Sequence, residues 1–91
     1  MANTTHQPPF HIERRPEVLH RSGYSRSVLQ SRIKNQLFVP PISLGERCVG
    51  WLSSEVDAVL AAYVAGKPKE EIKTIVSNLI KQRQQTMEAL K

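Results

Sequence analysis

Apolar residues recur at helical spacing in two short segments that are separated by Ser22-Gly23-Tyr24. Val18 and Leu19 supply the apolar side of the first segment. Pro16 suits its first turn, because the N–H that proline lacks would be unpaired there anyway. Gly23 can adopt the left-handed conformation that ends a helix. The pattern therefore predicts a short helix, a tight turn and a second helix, which is the helix-turn-helix arrangement.

The second helix is predicted to begin after the N-cap residue Ser25 and to end near residue 35 or 36. At about 100° per residue, Leu29 and Ile33 fall together on one side of it. Val28 and the aliphatic stem of Arg32 flank this pair. We expect this side of the helix to face the core.

The opposite side of the second helix is polar and carries no acid. An arc of about 100° holds the following residues, with Arg26 at its margin near the helix start: Ser27, Gln30, Ser31 and Lys34. A short face rich in hydrogen-bond donors suits the major groove of duplex DNA. A helix that is merely solvated more often includes Glu or Asp. We therefore predict a DNA-reading segment made of Ser25, Arg26, Ser27, Gln30, Ser31 and Lys34.

From residue 37 to residue 51 the apolar residues lose the helical period and are interrupted by Pro40-Pro41, Gly45 and Gly50. This pattern predicts an extended segment, a turn near residues 45–47 and a short return strand. The prolines confine the pairing to an edge, so the hairpin is expected to be small. Arg47 would lie at the tip of this wing, where a cation can contact phosphate or enter a minor groove. An exposed turn arginine without a partner is the alternative.

A third helix is predicted after the hairpin, because Ser54 and Asp57 have the spacing of a capping box. Its apolar side holds Val56, Val59, Leu60 and Tyr63. This helix would pack beneath the second one, with Trp51 and Phe38 between them, and would end at Gly66.

Pro68 is expected to start a long fourth helix with acids in its first turn and cations later, as the helix dipole favours. Its apolar stripe consists of Ile72, Ile75, Val76, Leu79 and Ile80. Two interpretations of this stripe are open. It covers the core of its own domain, or it forms a homodimer or partner contact, for which self-association through residues 69–90 would be the sign.

Ninety-one residues with 40% hydrophobic content support one small domain with a thin core. The net charge of +5 is concentrated, since residues 14–47 hold seven Arg and Lys against two Glu, and residues 48–91 hold six against five acids. This basicity favours a polyanionic partner, although it also serves solubility. We therefore expect a flexible arm over residues 1–13, a DNA-binding domain over residues 14–66 and a C-terminal helix over residues 67–91.

Other chemistry finds little support in the sequence. His6, His11 and His20 have no second ligand at metal-like spacing, and the single cysteine, Cys48, fits a reducing compartment. The chain has no glycine-rich phosphate loop and no nucleophile elbow, so we expect no enzyme activity, no metal and no cofactor. It also lacks a segment of the length and apolarity of a membrane span. We expect a cytoplasmic protein that associates with the nucleoid.

Several short motifs resemble, in their order and spacing along the chain, those of the AlpA family of phage and prophage regulators. The match covers about half of the chain, and the Gly-Trp pair followed by Ser-Glu-Val-Asp is its most specific part. The chain departs from the family pattern at Gln30, Gln36 and Val59. The residues that carry the resemblance are Glu17-Val18, Ser22 to Ser27, Phe38, Leu44-Gly45, Val49-Gly50-Trp51 and Glu55-Val56-Asp57-Ala58.

The resemblance implies a winged-helix fold that binds DNA near promoters or attachment sites of an integrated element. The family's reading segment falls on Ser25, Arg26, Ser27, Gln30 and Lys34, and its wing falls on Arg47. We therefore expect a mainly helical chain with a small β-hairpin, a winged helix-turn-helix and a long C-terminal helix. The predicted function is a sequence-specific regulator that binds duplex DNA and controls integrase expression or excision, with an integrase or polymerase contact. The alternative is an adaptor that binds an integrase or response regulator through the C-terminal helix.

Overall fold

The computed structural model describes residues 10–89, and the side chains of residues 10–85. A two-residue strand, β1 (Ile12–Glu13), is followed by the helices α1 (Arg15–Ser22) and α2 (Arg26–Lys34). The strands β2 (Ile42–Gly45) and β3 (Cys48–Leu52) come next, and then the helices α3 (Ser53–Val64) and α4 (Lys69–Ala89). This order confirms the predicted class, mainly helical with a small hairpin and a long C-terminal helix.

The turn between α1 and α2 has the two local signals that the sequence predicted. Gly23 has a left-handed φ of 74°, and its N–H donates to the Leu19 carbonyl at 2.9 Å. Ser25 caps α2, because its Oγ accepts the Val28 N–H at 3.2 Å. The expectation for the Val28 side chain is wrong: it is 39% exposed. It lies beyond the edge of the buried side of α2, about 100° around the helix from Leu29.

The C-terminus of α2 is closed by two backbone hydrogen bonds around Gln36. The Gln36 N–H donates to the Ile33 carbonyl at 3.1 Å, and the Leu37 N–H donates to the Arg32 carbonyl at 2.7 Å. This is the pattern of a Schellman motif, whose central residue adopts the left-handed conformation and is usually glycine. Gln36 adopts it with φ of 64°. Its side chain therefore stands where the backbone favours a residue without Cβ.

Replacing Gln36 with glycine is expected to raise the free energy of unfolding by about 0.5–1 kcal/mol. Removing the Cβ relieves the strain of the left-handed conformation, which costs about 1–2 kcal/mol for a residue with a Cβ. The greater freedom of glycine in the unfolded chain offsets part of that gain. Urea denaturation measures the change. Gln36→Ala is the control, since alanine keeps the Cβ and should bring no gain. A glycine variant less stable than the parent chain would contradict this account of Gln36.

The strands form one antiparallel sheet in the order β1-β3-β2. β2 lies at an edge, as its preceding prolines predicted, and Arg47 occupies the turn of the hairpin with φ of 55°. β1 was not predicted, and the expected arm over residues 1–13 is wrong at its end: Ile12 pairs with Leu52 and Glu13 with Trp51. Two residues are too few to show the alternation by which a strand is recognised. Residues 1–9 of that arm lie outside the described part of the chain.

β1 also explains how α3 begins. The predicted capping box at Ser54 and Asp57 is wrong: α3 begins at Ser53, and its N-cap residue forms no side-chain cap bond. Instead, the Ser53 N–H donates to the His11 carbonyl at 2.8 Å, and the Ser53 hydroxyl donates to Glu13 Oε2 at 2.9 Å. His11 and β1 thus bind the first residue of α3, and the His11 carbonyl accepts one of the backbone N–H groups that a helix start leaves unpaired.

Gly50 lies where three parts of the sheet approach each other closely. A Cβ at this position would meet Ile12 Cγ2 at 2.6 Å and Leu44 Cδ1 at 3.1 Å. A larger residue would therefore require the Ile12 side chain, or β1 itself, to shift. The glycine of the Gly-Trp pair therefore allows the third strand to form.

Trp51 lies at the centre of the core and is fully buried. Its Nε1–H donates to the Val39 carbonyl at 3.0 Å, so the buried indole has no unpaired donor. The core includes residues from all four helices, from β3 and from the segment that precedes β2. Its buried apolar members are Val18, Leu29, Phe38, Val39, Trp51, Val56, Val59, Ala62, Ile72 and Val76.

α4 is attached to the rest of the domain by a charged group as well as by apolar contacts. Arg83 donates from Nε and Nη2 to the Glu55 carboxylate at 2.7–3.2 Å. Nη2 also donates to the Pro40 carbonyl at 2.8 Å. One side chain of α4 therefore connects the start of α3 with the segment that leads into the wing.

Candidate nucleic-acid interface

The predicted reading face of α2 is exposed along its length. Arg26, Ser27 and Gln30 lie together around one shallow surface groove near the start of the helix. Ser25 is exposed and caps the helix, and its Oγ lies 3.4 Å from Ser27 Oγ. Ser31 and Lys34 are exposed farther along. The structure therefore gathers the first half of the predicted reading residues closely and presents the rest along the same helix.

Some cations of residues 14–47 contact other elements of the domain, and others are exposed to solvent. Arg21 pairs with Glu13 at 3.3 Å and with Asp57. Arg14 donates from Nε to the Val49 carbonyl at 2.9 Å, and the Arg15 guanidinium lies over the Trp51 ring, 5.5 Å from its centroid. These three arginines connect α1 to β1, β3 and α3, so their contacts are structural.

Arg32 belongs to α2 but points away from the reading face. Its guanidinium lies 5.0 Å from the ring centroids of both Tyr24 and Tyr63. It donates to the Tyr63 hydroxyl at 2.9 Å, which in turn donates to the Leu37 carbonyl at 2.8 Å. Burial raises the pKa of Tyr24 above its ordinary value of 10.0, so this ring is neutral at physiological pH. Arg32 therefore acts as a positioning residue that fixes α2 against α3.

Arg26, Lys34 and Arg47 are the cations of this region that remain, and all three are exposed. Among residues 10–85 none of the three forms an ion pair, whereas Arg21, Lys67 and Arg83 do. Two of them lie on α2 and the third lies at the turn of the wing. They are the three cations that the sequence assigned to DNA binding.

A second groove lies beside the reading face, and of its six residues only Ser31 was predicted as a site residue. It is lined by Val28, Ser31, Arg32, Asn35, Leu37 and Lys69. Asn35 Nδ2 donates to Ser31 Oγ at 3.4 Å across the last turn of α2. Lys69 comes from the first residue of α4, so its position beside α2 depends on packing between distant segments. The sequence signal for it is the four-residue spacing of Lys69 and Lys73. This spacing becomes informative only once the packing of α4 beside α2 is known.

The apolar stripe of α4 is largely used within the domain. Ile72 and Val76 are buried, 3% and 2% exposed. Ile75 and Leu79 pack against the same core and are partly buried. Ile80 is 40% exposed. Four of the five residues predicted as a core cover or dimer contact thus lie against the core of their own domain.

The described residues meet the requirements of neither a membrane span nor a metal centre. No helix within residues 10–89 combines the length and apolarity needed to cross a membrane. In the same part of the chain, no group of three or more His, Cys, Asp and Glu residues is arranged so that it could hold a metal ion.

Comparison with known proteins gives the family. Residues 11–61, from β1 into α3, match the model of the family described as prophage CP4-57 regulatory protein AlpA. An uncharacterized protein, ORF88, of Enterobacteria phage P4 is 45% identical over 54 residues, which are 59% of this chain and 61% of that protein. The match thus covers about three-fifths of the relative's own length. No solved structure matches the chain significantly. Since the family model covers more than half of it, the chain belongs to the AlpA family of prophage regulatory proteins.

Proposed function

We propose that this regulatory protein binds duplex DNA sequence-specifically and inserts α2 into the major groove. One observation carries the proposal. The exposed side of α2 holds two cations that form no ion pair within residues 10–85, Arg26 and Lys34, among uncharged hydrogen-bonding side chains and no acid. Such a surface offers both the positive charge that phosphates attract and the donors that base edges require.

Each residue of the face has a role that follows from its chemistry. Gln30 offers an amide for a bidentate contact with adenine, and Arg26 and Lys34 offer donors to guanine or phosphate. Ser25, Ser27 and Ser31 have short hydroxyl side chains that suit phosphate or base contacts at close range. Arg47 would contact the backbone or minor groove from the wing. Each specific base contact is worth about 1–3 kcal/mol of discrimination.

Regulation would follow from where such a protein is bound. A chain on a promoter blocks or recruits polymerase, and a chain at an attachment site bends DNA for a recombinase. We propose control of integrase expression or of excision, because the family is one of prophage regulators. DNA binding would place the protein on the nucleoid.

A gel-shift titration with the DNA that flanks its own gene tests this function. We expect a discrete complex that an unlabelled copy of the site competes away and a mutated site does not. An adaptor that reaches DNA only through an integrase or response regulator would instead show weak binding, equally competed by both duplexes. That result would overturn the proposal.

A further inference from the structure

α4 carries a stripe of lysines beside the C-terminal end of α2. Lys69, Lys73 and Lys81 are spaced by four and eight residues, with Ser77 between the last two. Because four residues advance about 400° around a helix, each step of four turns the side chain by only about 40°. Three such steps from Lys69 to Lys81 add up to about 120°, so the three lysines, called the lysine stripe below, follow a line that turns slowly around α4 over about 18 Å.

Two grooves connect the lysine stripe with α2 and its closing turn. In the first, Lys69 faces Ser31 and Asn35, and Ser31 is one of the predicted reading residues. The second is lined by Gln36, Lys73, Val76, Ser77, Ile80 and Lys81. One wall of each groove thus comes from the end of α2 or the turn after it, and the other comes from the stripe. The reading face and the lysine stripe are neighbouring parts of one surface.

The charge of this surface is mainly positive. Residues 72–85 contain Lys73, Lys81 and Arg83 and no acid. Arg83 is paired with Glu55, whereas the lysine stripe forms no ion pair within residues 10–85. Glu71 is engaged with Lys67 at 3.7 Å, and Glu70 is the acid that lies beside Lys69, at the N-terminal end of the stripe. The stripe therefore presents positive charge that the described part of the chain does not neutralise.

We propose that the lysine stripe contacts the phosphates of the DNA strand that borders the major groove occupied by α2. This inference rests on the proposed function and extends its footprint from α2 and the wing to α4. Lysine ammonium groups on flexible stems suit phosphates, because they make charge contacts without a fixed geometry. The stripe would therefore add affinity and fix the register of α2, while the choice of sequence stays with the reading face.

The triple variant Lys69→Gln, Lys73→Gln and Lys81→Gln tests the inference. Glutamine keeps most of each stem and removes the charge. Fluorescence anisotropy at several salt concentrations measures affinity for a duplex with the specific site and for one with a mutated site. Removing each phosphate contact should weaken binding about 5–10-fold near 0.1 M salt and make the salt slope shallower by about 0.9. The effect should be equal for both duplexes.

Two controls accompany the triple variant. Lys67→Gln removes the same charge at a residue paired with Glu71 and should leave affinity unchanged. A triple Lys→Arg variant keeps the charges and should bind like the parent chain. Thermal unfolding followed by circular dichroism establishes that each variant is folded at the assay temperature.

The outcomes separate the two proposals. If the parent chain discriminates between the duplexes and the folded triple variant keeps its affinity and salt slope, the stripe does not contact DNA and the inference is refuted. If the parent chain binds both duplexes equally and the triple variant loses that binding, the stripe contact stands and the reading function of α2 fails. If the parent chain binds neither duplex, both proposals fall.

Discussion

Replacing Arg26 and Lys34 together with alanine is expected to weaken specific duplex binding about 100-fold, since two contacts at about 1.4 kcal/mol each correspond to that factor. Both side chains are exposed, lie on α2 and form no ion pair within the described residues. Their removal should therefore change binding without changing the fold. Anisotropy titrations at several salt concentrations should also show a slope shallower by about 0.9 for each phosphate contact removed.

Two further variants show whether the loss of binding comes from α2 and whether it depends on charge. Lys67→Ala removes one positive charge outside α2, at a residue paired with Glu71 at 3.7 Å, and should leave affinity nearly unchanged. Gln30→Ala removes no charge, so it should weaken binding to the specific duplex, spare the mutated duplex and leave the salt slope as it is. Unchanged affinity in the Arg26→Ala and Lys34→Ala single variants would refute the assignment of α2 to the groove.

The features that the sequence predicted well are those set by neighbours along the chain. The cap at Ser25, the left-handed turn at Gly23 and the hairpin turn at Arg47 depend on the preferences of a few adjacent residues. The exposure of the reading face follows from helical spacing alone. The seven predicted site residues are all exposed, six on α2 or its cap and Arg47 at the hairpin turn, while their contact with DNA stays a prediction.

The features that the sequence did not reveal depend on partners far apart in the chain. Glu13 is 2% exposed because Ser53 and Arg21 reach its carboxylate. Arg32 lies between Tyr24 and Tyr63. Neither environment has a local signature, since a charged residue is usually assigned to the surface unless its partner is known. The position of Lys69 beside α2 was hidden for the same reason.

Glu55 is the clearest example and leads to the largest stability effect that we expect. It lies in the first turn of α3, where an acid is favoured by the helix dipole and is usually exposed. It is 4% exposed, and Arg83 binds its carboxylate. Arg83→Met should lower the free energy of unfolding by about 3 kcal/mol, because a buried carboxylate that loses its partner costs about 3–5 kcal/mol. The lower figure applies, since the Arg83 side chain is 21% exposed. Urea denaturation measures the change.

A double-mutant cycle with Glu55→Gln separates the ion pair from the other contacts of Arg83. If the buried carboxylate causes the destabilisation, the variant with both substitutions should be more stable than the sum of the single changes implies, by about 1–3 kcal/mol. Additive effects would instead assign the destabilisation to the packing of the stem or to the hydrogen bond with the Pro40 carbonyl. Arg83→Lys distinguishes these two, because lysine keeps a long stem and a charge but lacks the planar fork that bridges Glu55 and Pro40. A stability near that of Arg83→Met would then show that the fork itself holds α4 to the segment that enters the wing.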